Sequence, residues 1–255
     1  MDVSTHSVVA AERPHTVRRH TPQASSGASP WRDVLASGAF KIRAAVTRDE
    51  RATASSLIQR MYAGRGYNAT ALPDTPCRER LTLVASAASA FVGTMTVGFD
   101  SEQRLSVDEV FPDEVNSVRM AGRQVCEFTK LAVDGGIRSQ GVLAAMFHVA
   151  FIHAHRIRGC DNLLIEVNPR HVCYYERKLG FKVLGASRPN KRVGAVAVLL
   201  SLDLWHAQAQ IELFGGRPEL CATERSLYPH ALAPGREAEV AGRLLVGSDT
   251  HVMSS

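Results

Sequence analysis

A carboxylate stands inside an apolar, strand-like run, which is an unusual place for an acid. Glu127 is flanked by apolar residues, and Thr129 has the same side-chain parity along the run, so both side chains face one side of a strand. A buried acid is either paired with a cation or kept for proton transfer. Lys130, Arg123 and Arg119 are close enough in sequence to be such partners. The sequence therefore leaves a structural ion pair and a site for proton transfer both open.

A second candidate site is the glycine-rich turn that follows this run. The chain continues through Gly135 and Gly136 to Arg138, Ser139 and Gly141, and then into an apolar helical pattern. A helix N-terminus offers free backbone N–H groups and a positive dipole end, which favour a phosphate group. An ordinary helix start is the alternative interpretation of the same residues.

The elements around these residues predict a βαβ unit. A β-type run from Cys126 to Val133 is followed by apolar residues at helical spacing from Gln140 to Arg158, with Gly159 as the helix stop. The next apolar run consists of Leu163, Leu164, Ile165 and Val167, as in strands that are buried on both faces. We expect the two strands to be parallel and the connection between them to be right-handed.

The residues after this unit carry a resemblance to a known family. Asn168, the Tyr174-Tyr175 pair and Leu179-Gly180-Phe181 resemble the acyl-coenzyme A binding half of the GNAT acyltransferase superfamily. The segment CEFTKLAVD, the turn VNPRHV and the closing strand AVLLSLDL are similar to those of long-chain N-acyl amino acid synthases, which are related to the acyl-homoserine lactone synthases. The resemblance runs from about Phe40 to Leu204. It implies an α/β fold: a GNAT-like mixed sheet with a central parallel βαβ unit and helices on both faces.

The resemblance implies an N-acyltransferase that moves a long-chain fatty acyl group from an acyl carrier protein thioester to the amino group of an amino acid. The alternatives are a coenzyme A-dependent N-acyltransferase acting on a small amine and a catalytically silent acyl-carrier-binding module. No cofactor is expected to be bound permanently; the phosphopantetheine of the carrier protein, or coenzyme A, is the acyl donor. Glu127, which matches the proposed base of the lactone synthases, and Thr129 become the catalytic candidates.

The candidate residues for binding the acyl donor come from the same resemblance. Two departures bear on their roles: Leu143 stands where the superfamily keeps a small residue beside the coenzyme A pyrophosphate, and Tyr175 precedes Gly180 by five residues instead of the usual four. The first departure favours a carrier protein as donor. The second weakens the role of Tyr175 as a general acid, and both tyrosines are equally compatible with a core position. The donor-binding candidates are Leu131, Val133, Arg138, Ser139, Gly141, Asn168, Tyr174 and Tyr175.

An acceptor amino acid needs a cation for its carboxylate, and the planar fork of arginine suits that task. Arg65 and Tyr67 follow the first predicted helix, where the family has acceptor-side elements. Arg43 and Arg123 compete with Arg65 for this role. The predicted amino acid-binding residues are Arg65, Tyr67 and Arg123.

Composition limits the remaining possibilities. We expect residues 1–38 to be a disordered arm, 39–204 the acyltransferase domain, and 205–255 peripheral helices or a tail. No apolar run is long enough to span a bilayer, no signal peptide is visible, and the five cysteines have no metal or disulfide spacing, which predicts a cytoplasmic protein. The net charge of +5 favours an acidic partner, but no platform for nucleic acid is visible.

Two further sets of residues lead to expectations about ligands. His148, His153 and His155 lack zinc-motif spacing, so no metal site is predicted and these side chains should be solvated or bonded locally. Six basic residues fall at helix ends or loops of the C-terminal half, where they could attract an acidic carrier protein. They are Arg156, Arg158, Lys178, Arg188, Lys191 and Arg192.

Overall fold

A computed structural model of the chain describes residues 35–37, 40–134 and 140–252. Arg138 and Ser139, predicted to bind the donor, lie outside these residues, as does most of the predicted N-terminal arm. The expected arm, residues 1–38, includes residues that have regular structure: Leu35–Ser37 forms a strand that pairs with Phe40–Ile42. Leu35 is 2% exposed, and burying its side chain accounts for the order of this short strand.

The described residues form one sheet of eight strands in the order β1-β2-β3-β4-β5-β6-β8-β7. β5 and β6 run parallel and the other neighbouring pairs are antiparallel, so the predicted mixed sheet is confirmed. The strands are β1 (Leu35–Ser37), β2 (Phe40–Ala44), β3 (Arg80–Ala87), β4 (Ala90–Phe99), β5 (Val125–Val133), β6 (Asn162–Val167), β7 (Lys182–Asn190) and β8 (Ala195–Asp203).

The helices begin and end largely where sequence signals indicate. Thr47 and Glu50 form the reciprocal capping box that their spacing predicts, with Glu50 N–H donating to Thr47 Oγ1 at 3.2 Å. The crossover helix begins at Gln140 as expected, but its last part, Ile152–Ile157, is π-helical before Gly159 ends it with a φ of +69°. The helices are α1 (Arg48–Ala63), α2 (Pro112–Met120), α3 (Gln140–Phe151), α4 (Val172–Leu179), α5 (Leu204–Phe214) and α6 (Pro234–Val252).

The sheet is covered on both faces, as predicted. The α3 face carries the largest apolar cluster, where side chains such as Met95, Phe128 and Leu163 pack against α3. The opposite, α1 face carries two separate clusters, one beneath α1 around Ile58 and one beneath α2 around Phe111. The strip of sheet between α1 and α2 is therefore free to hold polar side chains.

The last fifty residues are part of the core of the described structure. Ile211, Leu227, Tyr228, Val240 and Leu244 are all nearly inaccessible and pack in the cluster on the α3 face. This segment was expected to form peripheral helices or a tail, but its described part contributes side chains to the main core cluster. The poor periodicity of this stretch has a physical reason: α5 contributes few buried residues, and the chain between α5 and α6 buries a short consecutive run, Leu227 to Pro229, in a turn.

Two global expectations can be compared with the described residues. No helix in this part of the chain is both long and apolar enough to cross a membrane. All five cysteines are free thiols, and Cys126 and Cys160 are buried.

We predict that Tyr228→Phe destabilises the protein measurably. The Tyr228 hydroxyl donates a 2.6 Å hydrogen bond to the Leu179 carbonyl in a buried environment, so its removal leaves that carbonyl without its donor. Such a loss costs about 1–3 kcal/mol, which lowers the melting temperature by roughly 3–8 °C. Tyr67→Phe is the matched control, because the Tyr67 hydroxyl bonds Arg170 at an exposed position. Equal melting temperatures for Tyr228→Phe and the control would show that the C-terminal segment is not held by this bond.

Candidate active site

The parallel strands of the βαβ unit stop pairing halfway along their length. Their register is Val125 with Asn162, Cys126 with Leu163 and Glu127 with Leu164, and it ends there although β5 continues to Val133 and β6 to Val167. Beyond this point the two strands leave a gap in the sheet. Backbone groups that face such a gap are available to a bound ligand.

A β-bulge in β5 adjoins the gap. In the pairing of β5 with β4, Thr129 lies opposite Thr96 and Ala132 opposite Thr94, so Lys130 and Leu131 together face one residue. Lys130 has a φ of +51°, an uncommon value for a residue with a side chain. The bulge turns Leu131 and Val133 to the α3 face. Lys130, expected to be an ion-pair partner, instead donates from Nζ to the Thr70 carbonyl at 2.6 Å.

A cavity of about 730 Å³ lies at the gap and is lined by residues from both faces of the sheet. This volume lies within the range of about 300–1,000 Å³ that is usual for small-molecule sites. Its wall on the α3 side is mainly apolar and aromatic, with Phe128, Leu143, Phe147, Tyr174 and Tyr175. Its wall on the α1 side includes apolar residues such as Ile58 but also carries the polar side chains of Tyr62, Arg65, Thr129, Glu166 and Arg192.

Most of the described donor-binding candidates lie in this cavity. Leu131, Val133, Tyr174 and Tyr175 line it, and so does Leu143, whereas Gly141 does not line it, although it lies in the first turn of α3. Burial raises the pKa of Tyr175. The centre of its ring lies 6.4 Å from that of Phe147 and 5.8 Å from that of Phe181. Tyr175 is therefore both a core residue and part of the wall.

Asn168 also lines the cavity, at the end of β6. Its side chain accepts a hydrogen bond from the Arg170 N–H at 3.2 Å and so caps the short turn after β6. This bond occupies one acceptor position and leaves the amide nitrogen of Asn168 for a ligand.

A row of threonines crosses the polar side of the site. Thr82, Thr96 and Thr129 lie directly opposite one another on β3, β4 and β5. The hydroxyls of Thr82 and Thr96 are 3.0 Å apart and bond each other. The hydroxyl of Thr129 is buried, and among the described residues it has no hydrogen-bond partner. Because buried polar groups are normally paired, this hydroxyl is available to a molecule in the cavity.

Glu127 is sealed beneath the cavity instead of lining it. Its side chain is inaccessible, its Oε1 accepts from Arg80 Nη1 at 3.2 Å, and its Oε2 accepts from the Val107 N–H at 3.1 Å. Gly98 lies against it so closely that an added Cβ would come within 2.8 Å of Glu127 Cγ. Arg80, not Glu127, contributes to the cavity wall. Glu127 therefore forms the ion pair that the sequence left open, but its partner is Arg80 and not one of the nearby cations Lys130, Arg123 or Arg119. The catalytic role of Glu127 stays a prediction.

Glu166 is a site residue that the sequence analysis missed. It lines the cavity from β6, where it accepts from Asn190 Nδ2 at 3.0 Å and forms an ion pair with Arg192. Burial raises the pKa of Glu166 to about 7; Arg192 opposes this shift, and the charges of Glu127 and Glu109 add to it. The available signal was an acid inside the apolar run from Leu163 to Val167.

The predicted acceptor residues separate into two groups. Arg65 and Tyr67 line the cavity, and the Tyr67 hydroxyl accepts from Arg170 Nη2 at 2.8 Å. Arg123 was wrongly expected there, because it precedes β5 at the end away from the gap and pairs with Asp203 at 2.7 Å. The competitor Arg43 is likewise engaged elsewhere, with Glu50 at 3.3 Å.

His148, His153 and His155 of the crossover helix are buried, so they are not solvated. Two of them, His148 and His155, form hydrogen bonds within the protein. His148 Nδ1 accepts from the Leu232 N–H at 2.8 Å, and His155 Nδ1 lies 2.7 Å from the Cys160 carbonyl oxygen. Burial and the nearby charge of Arg158 lower the pKa of His153 to about 4. Within the described ranges, no three His, Cys, Asp or Glu side chains come together as a metal site would require.

Comparison with known proteins identifies the family of this fold and site. The FeeM family of N-acyl amino acid synthases matches residues 53–203, more than half of the chain. The chain belongs to this family. It is therefore an N-acyltransferase, and the family implies an acyl thioester as donor and an amino acid as acceptor.

Solved structures agree with this fold. FeeM, an N-acyl amino acid synthase from uncultured soil microbes, is 24% identical with a TM-score of 0.60, over 67% of this chain and 93% of that one. The AHL synthase LasI is 10% identical with a TM-score of 0.47, over 66% of this chain and 91% of that one. Among curated proteins, no sequence gives a significant match.

We predict that Thr129→Val in this FeeM-family synthase lowers activity without lowering stability. The substitution replaces an unpaired buried hydroxyl by a methyl group of similar size, so stability should stay equal or rise. If the hydroxyl bonds a substrate, acyl transfer should fall about 5- to 10-fold.

Thr94→Val is the matched control for this measurement. The Thr94 hydroxyl donates to the Lys130 carbonyl at 2.8 Å, so this variant should lose stability. Melting temperatures and kcat/KM of both variants separate the two effects. Unchanged turnover in Thr129→Val would remove Thr129 from the substrate contacts.

Proposed function

We propose that this FeeM-family synthase transfers a long-chain fatty acyl group from the phosphopantetheine thioester of an acyl carrier protein to the amino group of an amino acid. The observation that carries the proposal is the cavity at the β5–β6 gap, whose wall is apolar and aromatic on one side of the sheet and carries most of its charged side chains on the other. A fatty acyl thioester suits the first side and an amino acid the second. The thioester carbon and the attacking nitrogen then meet inside the gap.

The donor side suits a thin, amide-bearing arm. A phosphopantetheine arm carries amide groups that can bond strand edges as an added strand does, and both β5 and β6 have edges without a partner strand beyond Glu127 and Leu164. Phe128, Leu143, Phe147 and Ile165 give the neighbouring wall an apolar surface for the fatty chain. Holding the thioester carbonyl beside the amine is the main contribution that such a site makes to the rate.

The choice of a carrier protein over coenzyme A rests on two observations. Leu143 lines the cavity near the start of α3, where its bulk leaves less room for a pyrophosphate than for one phosphate. Arg65 and Arg170 are exposed, and their charges help to lower the pKa of His171 beside them, after the larger effect of burial. The charge of Arg170, which lies beside the cavity residues Asn168 and His171 and is not needed for the acceptor, suits an acidic carrier protein.

The six basic residues expected to attract the carrier are a weaker argument than the sequence suggested. Arg156, Arg188 and Arg192 form ion pairs with glutamates of the chain itself. The Arg158 guanidinium lies over the ring of Phe99, and Lys178 donates to the Arg225 carbonyl. The three arginines that are paired with glutamates add little net positive charge for steering a partner, whereas Arg158 and Lys178 keep their charge.

On the acceptor side, we propose that Arg65 binds the substrate carboxylate. Arg65 lines the cavity at the C-terminal end of α1, and no salt bridge of its side chain is found among the described residues. Tyr67 adds an aromatic wall beside it, held by Arg170. An arginine without an intramolecular carboxylate partner is free to form the bidentate contact that a carboxylate favours.

We predict that palmitoyl-carrier protein is used with a kcat/KM at least about tenfold above that of palmitoyl-coenzyme A, with the same acceptor. The advantage should shrink as salt is raised from low to moderate concentration, because screening weakens attraction between exposed charges. Steady-state kinetics with both donors at two salt concentrations measure this. Equal efficiency with both donors would assign the protein to coenzyme A-dependent N-acyltransferases.

We predict that Arg65→Met raises the KM for the amino acid about 10- to 100-fold and changes kcat much less, because it removes a charge-assisted contact made throughout the reaction. With an acceptor that lacks the carboxylate, the variant and the native enzyme should perform alike. Arg60→Met is the control, since Arg60 lies in the last turn of α1, close to Arg65 in sequence, but pairs with Asp134. An equal rise in KM for acceptors with and without a carboxylate contradicts the assignment.

A further inference from the structure

Glu166 lies beside the β5–β6 gap, on the side of the sheet that carries the charged wall of the cavity. It lies two residues beyond Leu164, the last residue of β6 that pairs with β5, so its side chain points to the same face of the sheet as that of Leu164. Thr129 lies two residues beyond Glu127, the last paired residue of β5, on the same face. Glu166 and Thr129 therefore flank the gap on its α1 side, and both line the cavity.

The hydrogen bonds of Glu166 hold its carboxylate without using it fully. Oε1 accepts from Asn190 Nδ2 at 3.0 Å, and Oε2 is bound by Arg192 Nη2. Arg192 is itself held by the Ser106 carbonyl at 2.8 Å and by Glu109 at 2.9 Å. Because an ionised carboxylate has about four acceptor positions, two remain for a ligand.

The charged groups around Glu166 come from four elements. Arg192 reaches it from the β7–β8 turn, Glu127 from β5, Glu109 from the short turn before α2, and the Tyr62 hydroxyl from α1. Burial and the two glutamates outweigh the arginine, so the pKa of Glu166 rises from its ordinary value of 4.5 to about 7. A proton acceptor is most effective when its pKa lies near the working pH.

We propose that Glu166 is the catalytic base that takes a proton from the ammonium group of the acceptor amino acid. The inference rests on the proposed function and adds the residue that makes its amine reactive. Glu166 takes one proton, and the neutral nitrogen attacks the thioester carbon. The C–N bond forms, the C–S bond breaks, and the second nitrogen proton goes to the leaving thiolate. The products are one amide and one thiol, and Glu166 releases its proton to water.

Glu127 has a different part in this arrangement. Its oxygens are used by Arg80 and the Val107 N–H, and its side chain is inaccessible from the cavity. What it contributes is negative charge, which helps to keep Glu166 basic. Two carboxylates whose surroundings differ in this way take separate roles in a site.

The first test compares pH–rate profiles of kcat/KM for the native enzyme, Glu166→Gln, Glu166→Asp and Glu127→Gln. The native rate should rise with pH through an apparent pKa of about 7 as Glu166 loses its proton. Glu166→Gln should lose about 10²- to 10⁴-fold in rate and lose this rise, whereas Glu166→Asp should keep the rise at a reduced rate. Glu127→Gln should keep the rise but move it to lower pH. Loss of the rise in Glu127→Gln, with the rise intact in Glu166→Gln, overturns the proposal.

An aminooxy acid acceptor distinguishes proton transfer from mere positioning. Its nitrogen is unprotonated at neutral pH, so it needs no base before it attacks. Glu166→Gln should therefore acylate an aminooxy acid at a rate within about tenfold of the native enzyme, while it remains defective with the amino acid. An equal defect with both acceptors would mean that Glu166 only shapes the site, and the proposal would be wrong.

A readout without activity separates this inference from the proposed function. A raised pKa in the folded state means that the ionised Glu166 destabilises the fold, so the native protein should lose stability as pH rises from about 5 to 8. Glu166→Gln lacks this loss, so its melting temperature relative to the native protein should increase by at least about 2 °C between these pH values.

The two ideas therefore fail in different experiments. A native enzyme that acylates no amino acid from any long-chain thioester rejects the proposed function. A melting-temperature difference that stays constant from pH 5 to 8 rejects the proton-accepting state of Glu166, whatever the substrate is.

Discussion

The end of the pairing between β5 and β6 is the constraint on which the rest of this structure depends. Up to Glu127 and Leu164 the two strands satisfy each other's backbone groups, and beyond that point neither has the other as a partner. Buried backbone N–H and C=O groups are rarely left unpaired. The backbone groups that face a gap in the middle of a sheet therefore need hydrogen-bond partners other than the neighbouring strand. The bulge at Lys130 lies beside the gap, where it redirects the side chains of β5. A cavity lined by residues from both faces of the sheet is the consequence.

Charge compensation is the second requirement, because the polar strip between α1 and α2 holds several acids and bases at low exposure. Arg80 pairs with Glu127, and Arg192 joins Glu109 to Glu166, so each buried carboxylate has a cation. A buried ion pair seldom adds much to stability, since removing two charges from water costs about as much as their attraction returns. The network is better explained by what it does to the cavity: it orients the carboxylate of Glu166 and sets its affinity for a proton.

Sequence signals predicted the elements whose causes are local. The capping box at Thr47, the apolar run of β6 and the helical spacing after Gln140 each depend on near neighbours in the chain, and the structure has all three elements. The family resemblance, carried by the order of short motifs, gave the mixed sheet and the class of reaction.

Non-local contacts decided what sequence reasoning missed. The partner of Glu127 is Arg80, forty-seven positions earlier in the chain, so no search among neighbouring cations could have found it. The pairing of Leu35 with Ile42 and the burial of Tyr228 depend on surfaces that other elements supply. Glu166 is a different case, because its signal was local. Like Glu127, it is an acid in an apolar strand, but its strand is shorter and its neighbours are more apolar.

The contrast between these two acids follows from strand pairing alone. Both point to the α1 face of adjacent parallel strands, and the register offsets them by two residues: Glu127 lies opposite Leu164, and Glu166 is the next residue on that face of β6. Glu127 belongs to the paired part of the sheet, where Gly98 on one side and Leu164 on the other close around it. Glu166 belongs to the open part, where β6 no longer pairs with β5. A single step of strand pairing therefore separates an acid that is sealed into the sheet from an acid that can meet a substrate.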